Sequence, residues 1–298
     1  MSAAVRAAVV QATPAPLDGP ASVAKACELI GEAGALGARL ILLPEAFVPL
    51  FPSSRWAHAC ARWSPEATEL YRRLHENAVE VPGPLTERLG EAARRAGAWV
   101  GIGVNERSAT RPGTLWNTLL VFSSDGEVAI RHRKAVPTLH ERVFWGPGPG
   151  DDLDVVETGF GRVGGLICWE NFMPAARARL HRDGVDLYLA PTADDRDLWA
   201  AAMRVFAFEA GAFVLSAVQY LPKAAFPDDF PLRAELDACG DVLIPGGSLI
   251  ADPHGALLAG PVYGGEEILV ADCDPDAIVA ARRVFDVAGH YSRPDLGL

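Results

Sequence analysis

Short runs of Val, Ile, Leu and Ala alternate along the chain with stretches whose apolar residues return every three or four positions. Val5–Gln11 reads as a first strand. Residues 22–36 place Val23, Ala26, Leu29, Ile30 and Ala33 on one helical face. Residues 40–43 form a short apolar strand that ends at Pro44-Glu45. Residues 85–96 predict a helix with Leu85, Leu89, Ala92 and Ala96 inward, leading into a strand over 99–104. Residues 118–122 and Val128–Arg133 then predict a hairpin around Asp125-Gly126, a strong turn signal.

The middle of the chain repeats this theme. Strands over 153–157 and 163–167 flank a glycine turn, and a helix follows from Pro174 to His181 with its proline in the first turn. A strand over 187–190 precedes a helix over Asp197–Ala210, with Trp199, Met203, Phe206 and Ala210 inward, and a strand over 213–219. Residues 221–246 carry prolines and acids without a clear period and read as a long surface loop. Strands over 247–251 and 268–271 and a helix over Pro275–Val284 close the pattern. Neither a Ser/Gly linker nor a repeat divides the chain, so one α/β domain over 1–298, with hairpins as well as crossovers, is expected.

Charge narrows the function classes. The formal net charge of −11 argues against a general nucleic-acid binder or a protein held on anionic lipid, since both need a basic surface. The first residues lack the basic start and uninterrupted apolar core of a signal peptide, and a cytoplasmic location without membrane partners is expected. Cys27, Cys60, Cys168, Cys239 and Cys273 are odd in number, scattered and without a Cys-x-x-Cys pair, so they read as thiols. Gly159-Phe-Gly161-Arg-Val-Gly164 matches a dinucleotide fingerprint in letters, but a strand follows it where a helix is required. His140-Glu141 lacks the second histidine of a zinc protease, and the other histidines stand singly. No metal and no cofactor are expected.

Three residues have the chemistry of a nucleophilic site. Cys168 ends the apolar run Gly164-Gly-Leu-Ile and precedes a helix start, whose N-terminus contributes positive potential. A thiol of ordinary pKa, about 8.5, is only a few per cent thiolate at neutral pH and needs such help together with a base. Cys27, Cys60, Cys239 and Cys273 fit structural thiols better, since none combines a strand end, flanking glycines and polar neighbours. Glu45 leaves a buried strand, and desolvation raises a carboxylate toward the range of a general base. Lys134 is one of few lysines in an arginine-rich chain, which suggests a need for a compact ammonium that can lose a proton.

The segments Leu-Pro-Glu45-Ala-Phe, His-Arg-Lys134-x-x-Pro-Thr-x-x-Glu141-Arg-x-x-Trp145 and Gly-Gly-Leu-Ile-Cys168-Trp169-Glu170-Asn171 resemble the three signatures of the nitrilase (carbon–nitrogen hydrolase) superfamily, in its order. The Cys-Trp-Glu-Asn and Pro-Thr-x-x-Glu-Arg forms are similar to the true nitrilase branch. The likeness continues through Ala190-Pro-Thr192-Ala, Gly246-Gly-Ser and Gly289-His-Tyr and covers essentially the whole chain. It implies a four-layer αββα sandwich and a Glu45-Lys134-Cys168 triad acting on an organic nitrile to give a carboxylic acid and ammonia. It implies further that Glu141 orients Lys134 and the substrate, that Trp169, Trp145 and Thr192 contribute to the pocket, and that the backbone N–H of Trp169 faces the developing charge. An amidase or carbamoylase with the same triad, and a catalytically silent assembly or binding subunit, are the rival readings. The family habit of pairing sandwiches implies a homodimer or small even-numbered oligomer, with helices after Cys168 and Ala193 supplying the interface. The short stretch after His290 makes long filaments unexpected.

Overall fold

A computed structural model describes residues 4–293 and Asp295. The alternation along each strand decides the layering. In Val5–Gln11, Ala8 and Val10 turn to one side, where they meet Val23, Ala26, Ile30 and Ala33 of the Gly19–Ala35 helix and Leu89, Ala92 and Ala93 of the Pro84–Ala96 helix. Ala7 and Val9 turn to the other side, against Val163, Leu187, Leu189, Phe213 and Leu215 of a second sheet. The far face of that sheet, with Leu166, Tyr188, Val214 and Leu249, packs on Leu180, Trp199, Met203 and Phe206 from the Pro174–Arg182 and Asp197–Ala210 helices. Helix, sheet, sheet and helix thus form four layers. Both sheets are covered on both faces, which is why their central strands read as continuous apolar runs.

Among the described residues the first sheet runs in the order Glu267–Cys273, Val5–Gln11, Leu40–Leu42, Trp99–Arg107, Leu115–Phe122 and Val128–Arg133. The second runs Tyr220–Pro222, Val242–Ala251, Phe213–Ser216, Leu187–Leu189, Gly161–Gly165 and Val156–Thr158, with Leu257–Tyr263 also paired to Val242–Ala251. Leu40–Leu42 is parallel to Trp99–Arg107, and two antiparallel pairings then bring Val128–Arg133 back to the same direction. Gly161–Gly165, Leu187–Leu189 and Phe213–Ser216 are likewise mutually parallel. The residues that follow these strands emerge at strand carboxyl ends, the usual place for a ligand site in an open α/β sheet.

The sequence pattern misses three parts of this fold. Residues 221–246 are not a surface loop: they hold the Arg233–Asp237 helix and bury Phe226, Phe230, Leu232 and Leu236 around Trp56, whose ring lies 5.3 Å from that of Phe230. Those apolar positions follow an irregular cap and so show neither helical nor strand period. The Pro65–Asn77 helix buries only Ala67, Leu70 and Leu74, with Ser64 capping the Ala67 N–H, and its thin apolar stripe escapes notice. Leu257–Tyr263 is a half-exposed strand with Gly260 and Pro261 inside it.

Candidate functional site

Glu45 stands two residues after Leu43 of a wholly buried run, and its backbone is pinned by a close approach. Gly103 of the neighbouring strand donates its N–H to the Pro44 carbonyl at 3.0 Å, and a Cβ there would lie 2.5 Å from Glu45 Cα. Gln219 Nε2, in the link between the Phe213–Ser216 and Tyr220–Pro222 strands, donates to the Glu45 carbonyl at 2.7 Å. Both carboxylate oxygens are hydrogen-bonded, and Oε2, with one donor, keeps a free lone pair. Oε1 accepts from Lys134 Nζ at 2.8 Å and Asn117 Nδ2 at 2.7 Å, and Oε2 accepts from the Ala193 N–H at 2.9 Å. Burial pushes the Glu45 pKa up against the opposing pull of Lys134, the direction its position after a buried strand predicts.

Lys134 follows Val128–Arg133 and has no exposed side-chain surface. Its ammonium also donates to Glu141 Oε2 at 2.7 Å, which in turn accepts the Thr138 N–H at 2.7 Å. The neighbouring Arg142 donates to the Pro137 carbonyl. Burial would lower the lysine pKa, but Glu45, Cys168 and Glu141 outweigh it and hold it above the ordinary lysine value. Lys134 therefore rests as an ammonium. The idea that it readily gives up a proton is corrected to that of a fixed positive charge.

Cys168 opens a single 3-10 turn, Cys168–Phe172, with φ of 51°, a left-handed conformation that a side-chain-bearing residue adopts at a cost of about 1–2 kcal/mol. Its surroundings hold it there. The Cys168 N–H donates to the Pro191 carbonyl at 2.9 Å, and Asn171 Nδ2 donates to the carbonyls of Leu166 and Cys168 at 2.9 and 2.8 Å. Thr192 Oγ1 donates to Sγ at 3.0 Å and itself accepts the Asp194 N–H at 2.9 Å, which turns its proton toward sulfur. The expected help from a helix N-terminus is corrected: the Pro174–Arg182 helix begins only after this turn, and burial pushes the thiol up, with Lys134 and Thr192 pulling it down.

The thiol and Glu141 lie on an open cavity of about 300 Å³ walled by Phe51, Leu139, His140 and Trp169, with Asp194 and Arg196 also lining it. Trp169 Nε1 donates to Asp194 Oδ2 at 2.9 Å, and the Arg196 guanidinium, paired with Asp194, sits 4.8 Å from the Trp169 ring centre. Trp145 is not a wall. It lies behind Phe51, 5.9 Å between ring centres, and its indole N–H is spent on Asn105 Oδ1 at 2.7 Å. Thr192, expected at the substrate, is fully buried and faces the sulfur instead. Asn117, Gln219 and the Ala193 N–H were not anticipated, although an Asn inside the apolar strand Leu115–Phe122 is a signal. A thiol and a carboxylate on one cavity, with a buried ammonium bound directly behind that carboxylate, suit nucleophilic attack on a polarised carbon–nitrogen bond.

Residues 6–283 match the carbon–nitrogen hydrolase family. The chain belongs to that family. It is 48% identical over 293 residues to the aliphatic nitrilase of Sinorhizobium fredii (strain HH103), covering 98% of this chain and 93% of that one. Against the bifunctional nitrilase/nitrile hydratase NIT4B of Nicotiana tabacum it is 40% identical over 296 residues, covering 98% and 84%. Among solved structures, Saccharomyces cerevisiae Nit3, a member of branch 10 of the nitrilase superfamily, superposes with a TM-score of 0.75 at 21% identity, covering 98% of each chain. An amidase from Nesterenkonia sp. gives 0.68 at 22% identity, covering 96% and 97%. These two likenesses carry the sandwich fold of the carbon–nitrogen hydrolases and nothing finer.

Proposed function

We propose that this carbon–nitrogen hydrolase converts an organic nitrile and two waters to a carboxylic acid and ammonia, with Cys168 as nucleophile. The observation that carries the reading is the Glu45–Lys134–Glu141 ion cluster buried against a cavity-lining thiol, in a chain 48% identical to a named aliphatic nitrilase. Glu45 takes the thiol proton as Sγ attacks the nitrile carbon, and its raised pKa suits it to hold that proton. Negative charge develops on the nitrile nitrogen, where the Lys134 ammonium stabilises it and the backbone N–H of Trp169 is a second donor. Glu45 passes the thiol proton on to that nitrogen, which gives a thioimidate and leaves Glu45 a carboxylate again. Water activated by Glu45 adds to it, ammonia leaves, and a second water cleaves the thioester to release the acid and restore the thiol. Glu141 fixes the ammonium on the cavity side.

The aromatic and aliphatic walls suit an uncharged group beside the nitrile, since the rim charges Asp194 and Arg196 are already paired with each other. Ammonia release from a panel of nitriles and their matching amides tests the reading: nitriles should be turned over in preference to amides, and a strict amide preference would overturn it. The inter-sheet core draws on residues from Val5 to Ile278, which supports one hydrolase domain. Leu198, Val205 and Phe208 are exposed along the Asp197–Ala210 helix, and Met173 before the Pro174–Arg182 helix, a self-complementary patch for a homodimer. Among the described residues no helix is long and apolar enough to cross a membrane. The free thiols fit a reducing cytoplasm.

A further inference from the structure

His132 is buried in the Val128–Arg133 strand, two residues before Lys134, and stands between two carboxylates. Its Nδ1 is 2.8 Å from Asp152 Oδ1 and its Nε2 is 2.9 Å from Glu170 Oε2. Both acids are already acceptors elsewhere. Glu170 Oε1 takes the Ala135 N–H at 2.6 Å, Glu170 Oε2 takes the Ile167 N–H at 2.9 Å, and Asp152 Oδ2 takes the Arg133 N–H at 2.9 Å. With acceptors on both sides, both ring nitrogens donate, and the ring is an imidazolium. Burial alone would favour the neutral ring, but the two carboxylates raise its pKa to about 9.

The peptide N–H groups held in this way flank the reactive side chains. Arg133 and Ala135 stand on either side of Lys134, and Ile167 immediately precedes Cys168. Lys134 leaves the first sheet and Cys168 the second, so the Glu170 carboxylate joins the two sheets where ammonium and thiol must meet. We propose that Asp152, His132 and Glu170 form a charged bridge that sets the separation of Cys168 Sγ from Lys134 Nζ. None of the three lines the thiol cavity, so they are positioning residues that touch no substrate. The inference rests on the roles assigned above to Cys168 and Lys134.

Glu170→Gln keeps the side chain's shape but replaces one acceptor by an NH2 group, so at least one of the three donors loses its partner. Steady-state kinetics on a nitrile, with the alkylation rate of Cys168 by iodoacetamide, test the bridge. A misplacement of the reacting groups by about 1 Å is expected to lower kcat about 10- to 100-fold while KM stays within about 3-fold. Alkylation should slow as well, because the thiolate loses its nearby ammonium. Asp152→Asn, which loosens only the outer end, should show the same pattern with a smaller loss of kcat, and it decides the matter if Glu170→Gln does not fold. Folded variants with kcat and alkylation within 2-fold of the parent would overturn the bridge and leave it a stabilising network only. A Cys168→Ala control that still releases ammonia would overturn instead the reading on which the bridge stands.

Discussion

Burial pushes up the thiols of both Cys168 and Cys273, but it is Cys168 whose sulfur accepts a threonine hydroxyl and lies in the field of a lysine ammonium. Cys168→Ala should therefore abolish ammonia release without loss of fold, and Cys168→Ser should be nearly as inactive, since Glu45 is too weak a base for an alcohol. Alanine at Cys27, Cys60, Cys239 or Cys273 should leave turnover near the parent rate. Lys134→Arg keeps the charge, but the fully buried site between Glu45 and Glu141 has no free room for a planar guanidinium. We expect kcat to fall about 100-fold. Lys134→Ala would leave two buried carboxylates without their cation, and denaturant titration should show about 3–5 kcal/mol of lost stability. A Lys134→Arg enzyme with near-parent kcat would mean that the ammonium acts only as a distant charge. Glu45 and Cys168 were legible in the sequence because each ends an apolar run with a reactive group, and Lys134 because a lysine is rare in this arginine-rich chain. Trp145 was misread because an aromatic beside a motif looks the same whether it walls a pocket or supports a wall, and the Gln219 bond to Glu45 joins residues 174 apart.

The strand carrying Gly103 and the strand carrying His132 each hold a reactive residue in place, in different ways. At Gly103 an added Cβ would meet Ala46 N at 2.4 Å and Pro44 O at 2.6 Å, and both are backbone atoms that cannot swing aside. Gly103→Ala should cost about 1–3 kcal/mol in stability and depress kcat by shifting Glu45. His132 makes stability depend on pH. Its pKa is raised from 6.5 to about 9 by Asp152 and Glu170, so the folded chain binds its proton more tightly than the unfolded chain does. That stabilisation is complete below pH 6.5 and is lost as the pH rises through about 9. His181 works in the other direction. Burial lowers it to about 4, so its contribution is present above pH 6.5 and is lost as the pH falls toward 4. Melting temperature should accordingly peak near neutrality, and His132→Gln should flatten the alkaline limb; an unchanged alkaline limb would contradict the imidazolium. Elements with a full apolar face, such as Asp197–Ala210, were legible to the residue, whereas 221–246 was not, because its buried aromatics answer to Trp56 far away in sequence.

Across the whole molecule, two sheets face each other and every reactive group comes from an end of a strand or from the residues just beyond it, so the site exists only when the sheets are in register. The α/β class was legible as alternating strands and helices, and the four layers only through the family resemblance, since the contact of one sheet with the other leaves no period of its own. The exposed row Leu198, Val205 and Phe208 should pair with its copy. Light scattering should give twice the chain mass, and Leu198→Asp with Val205→Asp should reduce it to the monomer; a monomeric parent would contradict the dimer. The central claim is covalent catalysis by Cys168. Rapid acid quenching during nitrile turnover, followed by peptide-resolved mass measurement, tests it most directly. An acyl or imidoyl adduct should appear on the peptide containing Cys168, decay once the nitrile is exhausted, and be absent from Cys168→Ala. Ammonia release with no adduct at any time, or an adduct on a different cysteine, would contradict it.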